Sequence, residues 1–270
     1  MDLVLKDFFL LKKSSKLLKI GLSRSFGRNF LGRITVWGRG MLNKVNFNLV
    51  LFSYVNYSYL VLNRVFSYHR SAFIGLVLYE NGLLTYRLLG LGTKVGSTVS
   101  RPDTYSLARD YLGRSMKVLR KNNVFSLNNV PLNFKIFGIE DVFGGGAHYA
   151  RAAGNSAIVI SKSKKHVFLK LRSNWKVKVS KSCMGTVGCV SNINFKNKNL
   201  FKAGISRYFG KRPKVRGVAM NPCDHPHGGG EGKSSGKRAA RTPWGKFTKT
   251  RPLYISKRKT MKRILGKKNI

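Results

Sequence analysis

Acidic residues are scarce in this sequence. Only 9 Asp and Glu stand against 52 Lys and Arg, which gives a formal net charge of +43 at pH 7. Self-repulsion at this charge opposes compaction of the isolated chain, and a polyanion relieves it. Each phosphate that a Lys or Arg neutralises also releases condensed counterions, so nucleic acid is the expected partner. A supercharged soluble surface is the alternative interpretation.

Long apolar runs and an even set of cysteines are also missing. No apolar run reaches about 18 residues, the length that a membrane-spanning helix needs, so no membrane insertion is expected. The three cysteines, Cys183, Cys189 and Cys223, lack zinc-ribbon spacing. We expect free thiols in a reducing compartment.

The remaining composition indicates a mainly β protein. The chain is 43% hydrophobic and has 28 glycines, which favours packed cores with many turns. Short apolar segments between turn signals predict a closed, OB-like barrel over residues 27–99. Its predicted strands are 47–52, 57–65, 73–79 and 83–89, and Asn81-Gly82 is typical of a two-residue hairpin turn.

A second block of short strands predicts a smaller, SH3-like barrel over residues 129–191. Its strands are expected at 135–142, 157–161, 166–171, 175–179 and 186–190. Residues 100–128 are interpreted as a linker or insertion with a short helix over 105–120, because four apolar residues there have loosely helical spacing.

The two ends of the chain lack this pattern. Residues 1–26 are predicted to be a leader, and residues 192–270 a basic extension with one short helix near 198–208. Residues 201–270 contain 20 Lys and Arg but only two acids, Asp224 and Glu231. Such a segment cannot offset its ordering entropy by burying apolar area, so it is expected to fold against its partner.

Three loops combine arginine with small residues. Arg28 and Arg33 lie in 27–40, Arg70 in 69–75 and Arg151 in 144–157. Guanidinium groups match phosphate oxygens, and glycine-rich backbone approaches closely enough to donate alongside them. These loops therefore predict RNA contacts.

The most irregular segment is 217–232, GVAMNPCDHPHGGGEG. Its polar groups suggest two chemistries, a zinc site or a general acid–base pair, through Asn221, Cys223, Asp224, His225 and His227. The ligand spacing argues against zinc, and no nucleophile or enclosing pocket is implied. Downstream, Trp244 and Phe247 could stack on unpaired bases, or Trp244 could pack on the tail's own prolines.

Several segments together resemble a known family. The run GVAMNPCDHPHGGGEGKSSGKRAARTPWGKFTKTR at 217–251 resembles the C-terminal signature of the universal large-subunit ribosomal protein number two, the "L two" family. The resemblance continues through KAGISRYFGKRPKVRG, GGGAHYARAAGNSA, RSAFIGLVLYENG with GTKVGSTV, and GRNFLGRITV, in collinear order over roughly residues 27–251.

The resemblance implies an OB-like barrel, an SH3-like barrel and a tail that runs through ribosomal RNA (rRNA) toward the peptidyl-transferase region. It also implies a structural role in subunit association and in organising that region, with rRNA, neighbouring ribosomal proteins and the small subunit as partners. Arg70 and Arg151 match the family's rRNA-binding arginines. His225 matches a histidine that the family needs for an active centre, where the chemistry belongs to RNA.

The predicted site contains no catalytic or metal-binding residue and no intrinsic cofactor, although structural Mg²⁺ of the rRNA is expected nearby. The alternatives are an RNA-processing enzyme that uses Asp224, His225 and His227, or a free basic nucleic-acid-binding module. The predicted rRNA-binding residues are Arg28, Arg33, Arg70, Arg151, Arg212, Lys214, Arg216, Asn221, Asp224, His225, His227, Gly228, Gly229, Gly230, Lys233, Arg241, Trp244, Lys246, Lys249 and Arg251.

The sequence also departs from the family pattern, at Cys223, in the leader, and in residues 47–68 and 100–128. Its enrichment in Phe, Leu, Asn, Lys and Ser is typical of an AT-rich genome. Asp2 and Asp7 are unlike a transit peptide, and the sequence begins at Met1. We therefore expect an organelle-encoded protein of the mitochondrial matrix, with a plastid or the bacterial cytoplasm as alternatives.

Overall fold

The computed structural model describes residues 16–21, 25–40, 46–100, 103, 106–109, 115–232, 234 and 239–248. These residues form two compact units. The first contains the described residues of Met1–Leu22 and Val45–Lys198, and the second those of Ser23–Lys44 and Asn199–Arg258. Most of the predicted leader, and residues 249–270 of the predicted extension, lie outside the described residues.

The first barrel of the first unit is built on a four-stranded antiparallel sheet. Its strands, in their order across the sheet, are β5 (Leu84–Leu88), β4 (Phe73–Tyr79), β3 (Tyr59–Phe66) and β6 (Thr98–Val99). Val50 extends this sheet by a parallel bridge to Tyr86, and the Leu51 N–H donates to the Tyr86 carbonyl (2.8 Å). Its core is a buried cluster around Val61, Val77 and Tyr79. Two earlier strands, β1 (Lys19–Gly21) and β2 (Asn46–Asn48), pair with each other in a separate two-stranded sheet.

The hairpin between β4 and β5 confirms the turn predicted at Asn81-Gly82, but its loop has a different length. The Tyr79 N–H donates to the Leu83 carbonyl (3.0 Å), which leaves Glu80, Asn81 and Gly82 as the loop. Gly82 is left-handed with φ of +80°. A turn followed by a left-handed glycine is the usual form of a three-residue loop, so glycine is still required.

The second barrel contains eight strands: β9 Val124–Ser126, β10 Lys135–Phe137, β11 Ile139–Glu140, β12 Ala147–Tyr149, β13 Ala157–Lys162, β14 His166–Leu171, β15 Lys176–Ser180 and β16 Met184–Val187. Six of them form an antiparallel sheet in the order β15-β14-β13-β10-β16-β9, and β11 pairs with β12 beside it. Apolar residues alternate along β13 to β15, so that Val159, Val167, Leu169, Val177 and Val179 all enter one core.

The helix predicted over 105–120 is wrong. Two antiparallel strands, β7 (Ser106–Arg109) and β8 (Ser115–Val118), lie there instead, with Ser106 opposite Val118 and Arg109 opposite Ser115. Four loosely spaced apolar residues are weak evidence for a helix, whereas antiparallel pairing satisfies the backbone groups of both segments.

The two barrels contact each other within the first unit. Gly90 and Val190 form an antiparallel bridge, and the Leu91 N–H donates to the Cys189 carbonyl (2.8 Å). Ala72, Phe137 and Val190 are buried together at this junction. The end of the first barrel is therefore joined to the end of the second barrel.

The second unit is mostly irregular. Among its described residues, the regular elements are the short helix α1 (Ala203–Tyr208) and a 3₁₀ turn at Gly217–Ala219. Another 3₁₀ turn, Ile193–Asn197, belongs to the first unit. Residues 25–40 group with the tail, although the predicted division assigned them to the first barrel from residue 27. That division of the chain stays a prediction.

The fold is mainly β, with an OB-like barrel, an SH3-like barrel and a basic irregular extension, as the sequence predicts. No helix among the residues that the structure describes is long and apolar enough to cross a membrane. All three cysteines lie in the described part of the chain, and none forms a disulfide.

Candidate nucleic-acid interface

Two of the predicted arginines meet on one aromatic ring in the first unit. The Arg70 Cζ atom lies 4.5 Å from the centroid of the Phe52 ring, and the Arg151 Cζ atom lies 5.0 Å from the same centroid. We call these three residues the arginine platform. Cation–π contact of this kind holds a guanidinium in place while its N–H groups stay available to a ligand.

Hydrogen bonds between loops of the two barrels position the platform. The Ser71 Oγ accepts from the Ala153 N–H (3.1 Å), and Asn192 Nδ2 donates to the Ser71 carbonyl (2.6 Å). Ala150 is left-handed, with φ of 52°, and its carbonyl accepts from the Gly138 N–H (3.1 Å). These contacts link the loop that carries Arg70 to the loop that carries Arg151.

The electrostatics of the platform favour an anion. Partial burial lowers the pKa of Arg70, and the positive charge of Arg151 lowers that pKa further. Two like charges held this close repel each other, and a bound phosphate converts that repulsion into attraction to both. The arrangement fits a nucleic-acid backbone.

Arg28 and Arg33 lie in the second unit, on a loop that Asn29 organises. Asn29 Oδ1 accepts from the Arg33 N–H (2.9 Å) and from the Leu31 N–H (3.1 Å). The loop joins the tail through backbone bonds, since the Gly40 N–H donates to the Gly210 carbonyl (3.1 Å) and the Arg212 N–H to the Gly38 carbonyl (3.0 Å).

The segment 220–229, which we call the tail turn, is held by its own backbone. The Asp224 N–H donates to the Asn221 carbonyl (3.0 Å), the Gly228 N–H to the His225 carbonyl (2.8 Å), and the Gly229 N–H to the Met220 carbonyl (3.3 Å). The proline- and glycine-rich sequence therefore forms a defined turn in which a side chain at position 228 would overlap backbone.

The two histidines connect the tail turn to the chain beyond it. His225 is buried, and its ring packs on Gly217, where a Cβ atom would overlap it. His225 Nδ1 accepts from the His227 N–H (3.0 Å), and His227 Nε2 accepts from the Arg241 N–H (2.9 Å). A ring nitrogen that accepts carries no proton, so these bonds require two neutral imidazoles with defined tautomers.

A groove of about 790 Å³ runs through the second unit. We call it the tail groove. Trp37 and Trp244 line it, together with Pro213 and Pro243 and a set of cations. Phe247 instead contacts Arg241, whose Cζ atom lies 4.7 Å from the ring centroid.

The structure places the predicted residues in three groups. Arg70 and Arg151 form the platform, and the tail turn contains the residues from Asn221 to Gly229. Six of the predicted residues line the tail groove: Arg28, Arg212, Lys214, Asp224, His225 and Trp244. Arg33, Arg216, Gly230 and Lys246 are exposed elsewhere in the second unit, and Lys233, Lys249 and Arg251 lie outside the described residues.

Some residues of these surfaces were not predicted. Phe52 lies in a segment rich in Phe and Tyr, and nothing in the sequence distinguishes it from its neighbours. Trp37 and Arg39 flank Gly38 in the WGRG run, and this combination of an aromatic residue, arginine and glycine could have indicated an RNA contact. Arg207, in α1, was also not predicted. Within the described residues, no three His, Cys, Asp or Glu side chains are close enough to share a metal ion.

Sequence comparison identifies a family whose members resemble this chain. A family model described as "Ribosomal Proteins L2, C-terminal domain" matches residues 120–245. The match covers the second barrel, α1, the tail turn and Trp244.

Full-length relatives extend the similarity to the first barrel. "Large ribosomal subunit protein uL2" of Rhodospirillum rubrum is 40% identical over 254 residues, covering 92% of this chain and 86% of the relative. The protein of the same name from Orientia tsutsugamushi is 39% identical over 241 residues, covering 88% and 82%. That from Rickettsia prowazekii is 38% identical over 255 residues, covering 94% and 89%.

Proposed function

Because the chain belongs to the uL2 family of large-subunit ribosomal proteins, we propose that it binds large-subunit rRNA as a structural constituent of that subunit. The arginine platform is the observation that carries this proposal. It joins the loops of two barrels around two guanidinium groups, and such a pair suits the phosphates of a folded RNA.

The tail supplies the second part of the proposed function. The tail turn and the basic extension pack among rRNA helices, where glycine permits close approach and Lys and Arg neutralise phosphate. His225 is proposed as an organiser of the peptidyl-transferase region and not as a base, because its ring is buried and its Nδ1 already accepts from the His227 N–H.

The assembly and its compartment are further proposals. We propose that the chain supports subunit association, with neighbouring ribosomal proteins and the small subunit as partners, and that Mg²⁺ of the rRNA lies near the tail. We also propose a mitochondrial ribosome, on the composition of the sequence. The relatives are bacterial, so the bacterial cytoplasm is compatible, and so is a plastid. The enzyme and free-module alternatives are not favoured.

Filter binding to large-subunit rRNA tests the role of the platform. Arg70→Ala and Arg151→Ala should each weaken binding by about 1–3 kcal/mol, which is about 5- to 150-fold, because each removes a charged hydrogen-bond donor to phosphate. Lys165→Ala, at an exposed position of the β13–β14 hairpin, removes the same charge and should have little effect. A loss within experimental error for both arginine variants would refute the assignment.

A further inference from the structure

We propose that the tail groove holds one unpaired rRNA nucleotide, with its base on the groove tryptophans and its phosphate on the groove cations. The inference rests on the proposed rRNA binding and adds a specific site to it. The groove volume, about 790 Å³, lies within the range of small-molecule sites, which is about 300–1,000 Å³. That size suits one nucleotide better than a length of duplex.

The groove has defined walls. One wall is the loop at 26–39 and the other is the tail at 207–244, and the Arg39–Lys211 bridge joins them. Glycine makes the close approach possible, since a Cβ on Gly40 would lie 2.6 Å from Arg212 Cδ and one on Gly38 would lie 2.7 Å from Lys214 Cε. Gly38 is also left-handed, with φ of 72°, so a side chain there would be strained, whereas at Gly40 the flexible Arg212 side chain could shift.

The aromatic residues point to a flat ligand. Trp37 is 49% exposed and Trp244 is 52% exposed, although both line the same groove. Exposed indole surface is unfavourable in water, and a nucleobase covers it by stacking. Ile34, Val36 and Met220 add apolar surface to the lining.

The charges point to a phosphate on that ligand. Arg28, Arg39, Arg207, Arg212 and Lys214 line the groove, against the single carboxylate of Asp224. This excess of positive charge favours a nucleotide over a neutral aromatic or an apolar peptide.

His225 adds a polar group with a fixed role. Because its Nδ1 accepts from the His227 N–H (3.0 Å), the proton of the neutral ring is on Nε2. His225 also lines the groove, so its ring lies beside the space that a nucleotide would occupy.

Tryptophan fluorescence tests the proposal directly. The chain has three tryptophans, and Trp175→Phe removes the one that lies in the second barrel. In that full-length variant, AMP and GMP should quench the remaining emission saturably. Adenosine, which lacks the phosphate, should bind about tenfold more weakly, because one charge-assisted contact is lost. Ribose 5-phosphate and inorganic phosphate should leave the emission unchanged.

Charge variants then locate the site. Arg28→Gln with Arg212→Gln, in the Trp175→Phe background, should weaken AMP quenching about tenfold, whereas Lys164→Gln with Lys165→Gln should not. Absent or non-saturable quenching, equal quenching by inorganic phosphate, or quenching by polyglutamate but not by nucleotides would overturn the proposal. Measuring rRNA affinity on the same preparations separates the two claims: intact rRNA binding without nucleotide quenching removes the groove site and leaves the proposed function standing.

Discussion

At the scale of single residues, the carbonyl groups around Gly228 leave no space for a side chain at that position. An added Cβ at this position would overlap the carbonyl oxygens of Met220 and Asn221. Those two groups accept the bonds that close the tail turn, so neither can move away without breaking the turn. The glycine is required by space, since no positive φ is involved.

Gly228→Ala should therefore open the tail turn. We expect a local loss of about 1–3 kcal/mol, typical of overpacking, which corresponds to about 5- to 150-fold faster hydrogen exchange at the His227 amide. Gly204→Ala is the matched control, because a Cβ there meets nothing within 4 Å. Equal exchange in the two variants would contradict the account of the turn.

At the scale of elements, Glu140 connects three strands of the second barrel. It lies in β11 and is 1% exposed. Its Oε1 accepts from the Gly146 N–H (3.2 Å), just before β12, and its Oε2 accepts from the Met184 N–H (2.9 Å) at the start of β16. Both carboxylate oxygens are thus used by backbone donors.

Glu140→Gln should destabilise the second barrel by about 1–3 kcal/mol, because the amide NH₂ would face a backbone N–H that has lost its acceptor. Urea unfolding measures the difference. Glu231→Gln, at an exposed position of the tail, makes the same chemical change and should leave the unfolding free energy unaltered. A Glu140→Gln protein as stable as the parent would mean that the two bonds contribute nothing.

Strand positions were predictable because burial on one or both faces leaves a local pattern. β4 and β14 were predicted with their observed bounds, 73–79 and 166–171. The wrong prediction of a helix over 105–120 came from the spacing of its apolar residues, which fits the helical period of about 3.6 residues no better than the strand period of about two. Residues 27–40 contain turn signals, but no local pattern indicates which part of the chain they pack against. Their grouping with the tail was therefore not predictable from the sequence.

The same limit applies to the candidate site. Arginine beside glycine in a loop is a local signal, and it led to Arg70 and Arg151. That both guanidiniums contact Phe52 depends on contacts between residues about 20 to 100 positions apart, and no local pattern encodes such contacts.

At the scale of the whole first unit, Tyr54 ties one barrel to the other. It precedes β3 in the first barrel, and its hydroxyl donates to the Gly138 carbonyl and pairs with Thr186 Oγ1 (3.1 Å) in the second. Burial raises the pKa of Tyr54 to about 12, although the nearby charge of Arg87 acts in the opposite direction.

This pKa predicts a specific loss of stability in alkali. Between about pH 10 and pH 12 the unfolded tyrosine ionises while the folded one does not, so stability is lost as the pH rises, by up to about 2–3 kcal/mol. Tyr54→Phe removes this component. Its unfolding free energy, from urea titrations at pH 8 and pH 11.5, should fall less than that of the parent. Parallel decreases would contradict the prediction.

The salt dependence of rRNA binding tests the central claim, that the tail unit contacts phosphates. Two full-length variants carry five substitutions each to Gln, one in the tail unit and one among exposed or half-exposed lysines of the barrels. The tail set is Arg212, Lys214, Arg216, Arg241 and Lys246, and the barrel set is Lys121, Lys135, Lys164, Lys165 and Lys181.

Both variants lose five positive charges, so the comparison reports chiefly on where the charge is lost. The account predicts that the slope of log affinity against log salt becomes shallower by about 3–5 in the tail variant, since each phosphate contact contributes about 0.7–0.9, and changes little in the barrel variant. An equal change in both variants, or none in the tail variant, would mean that the tail does not contact phosphates.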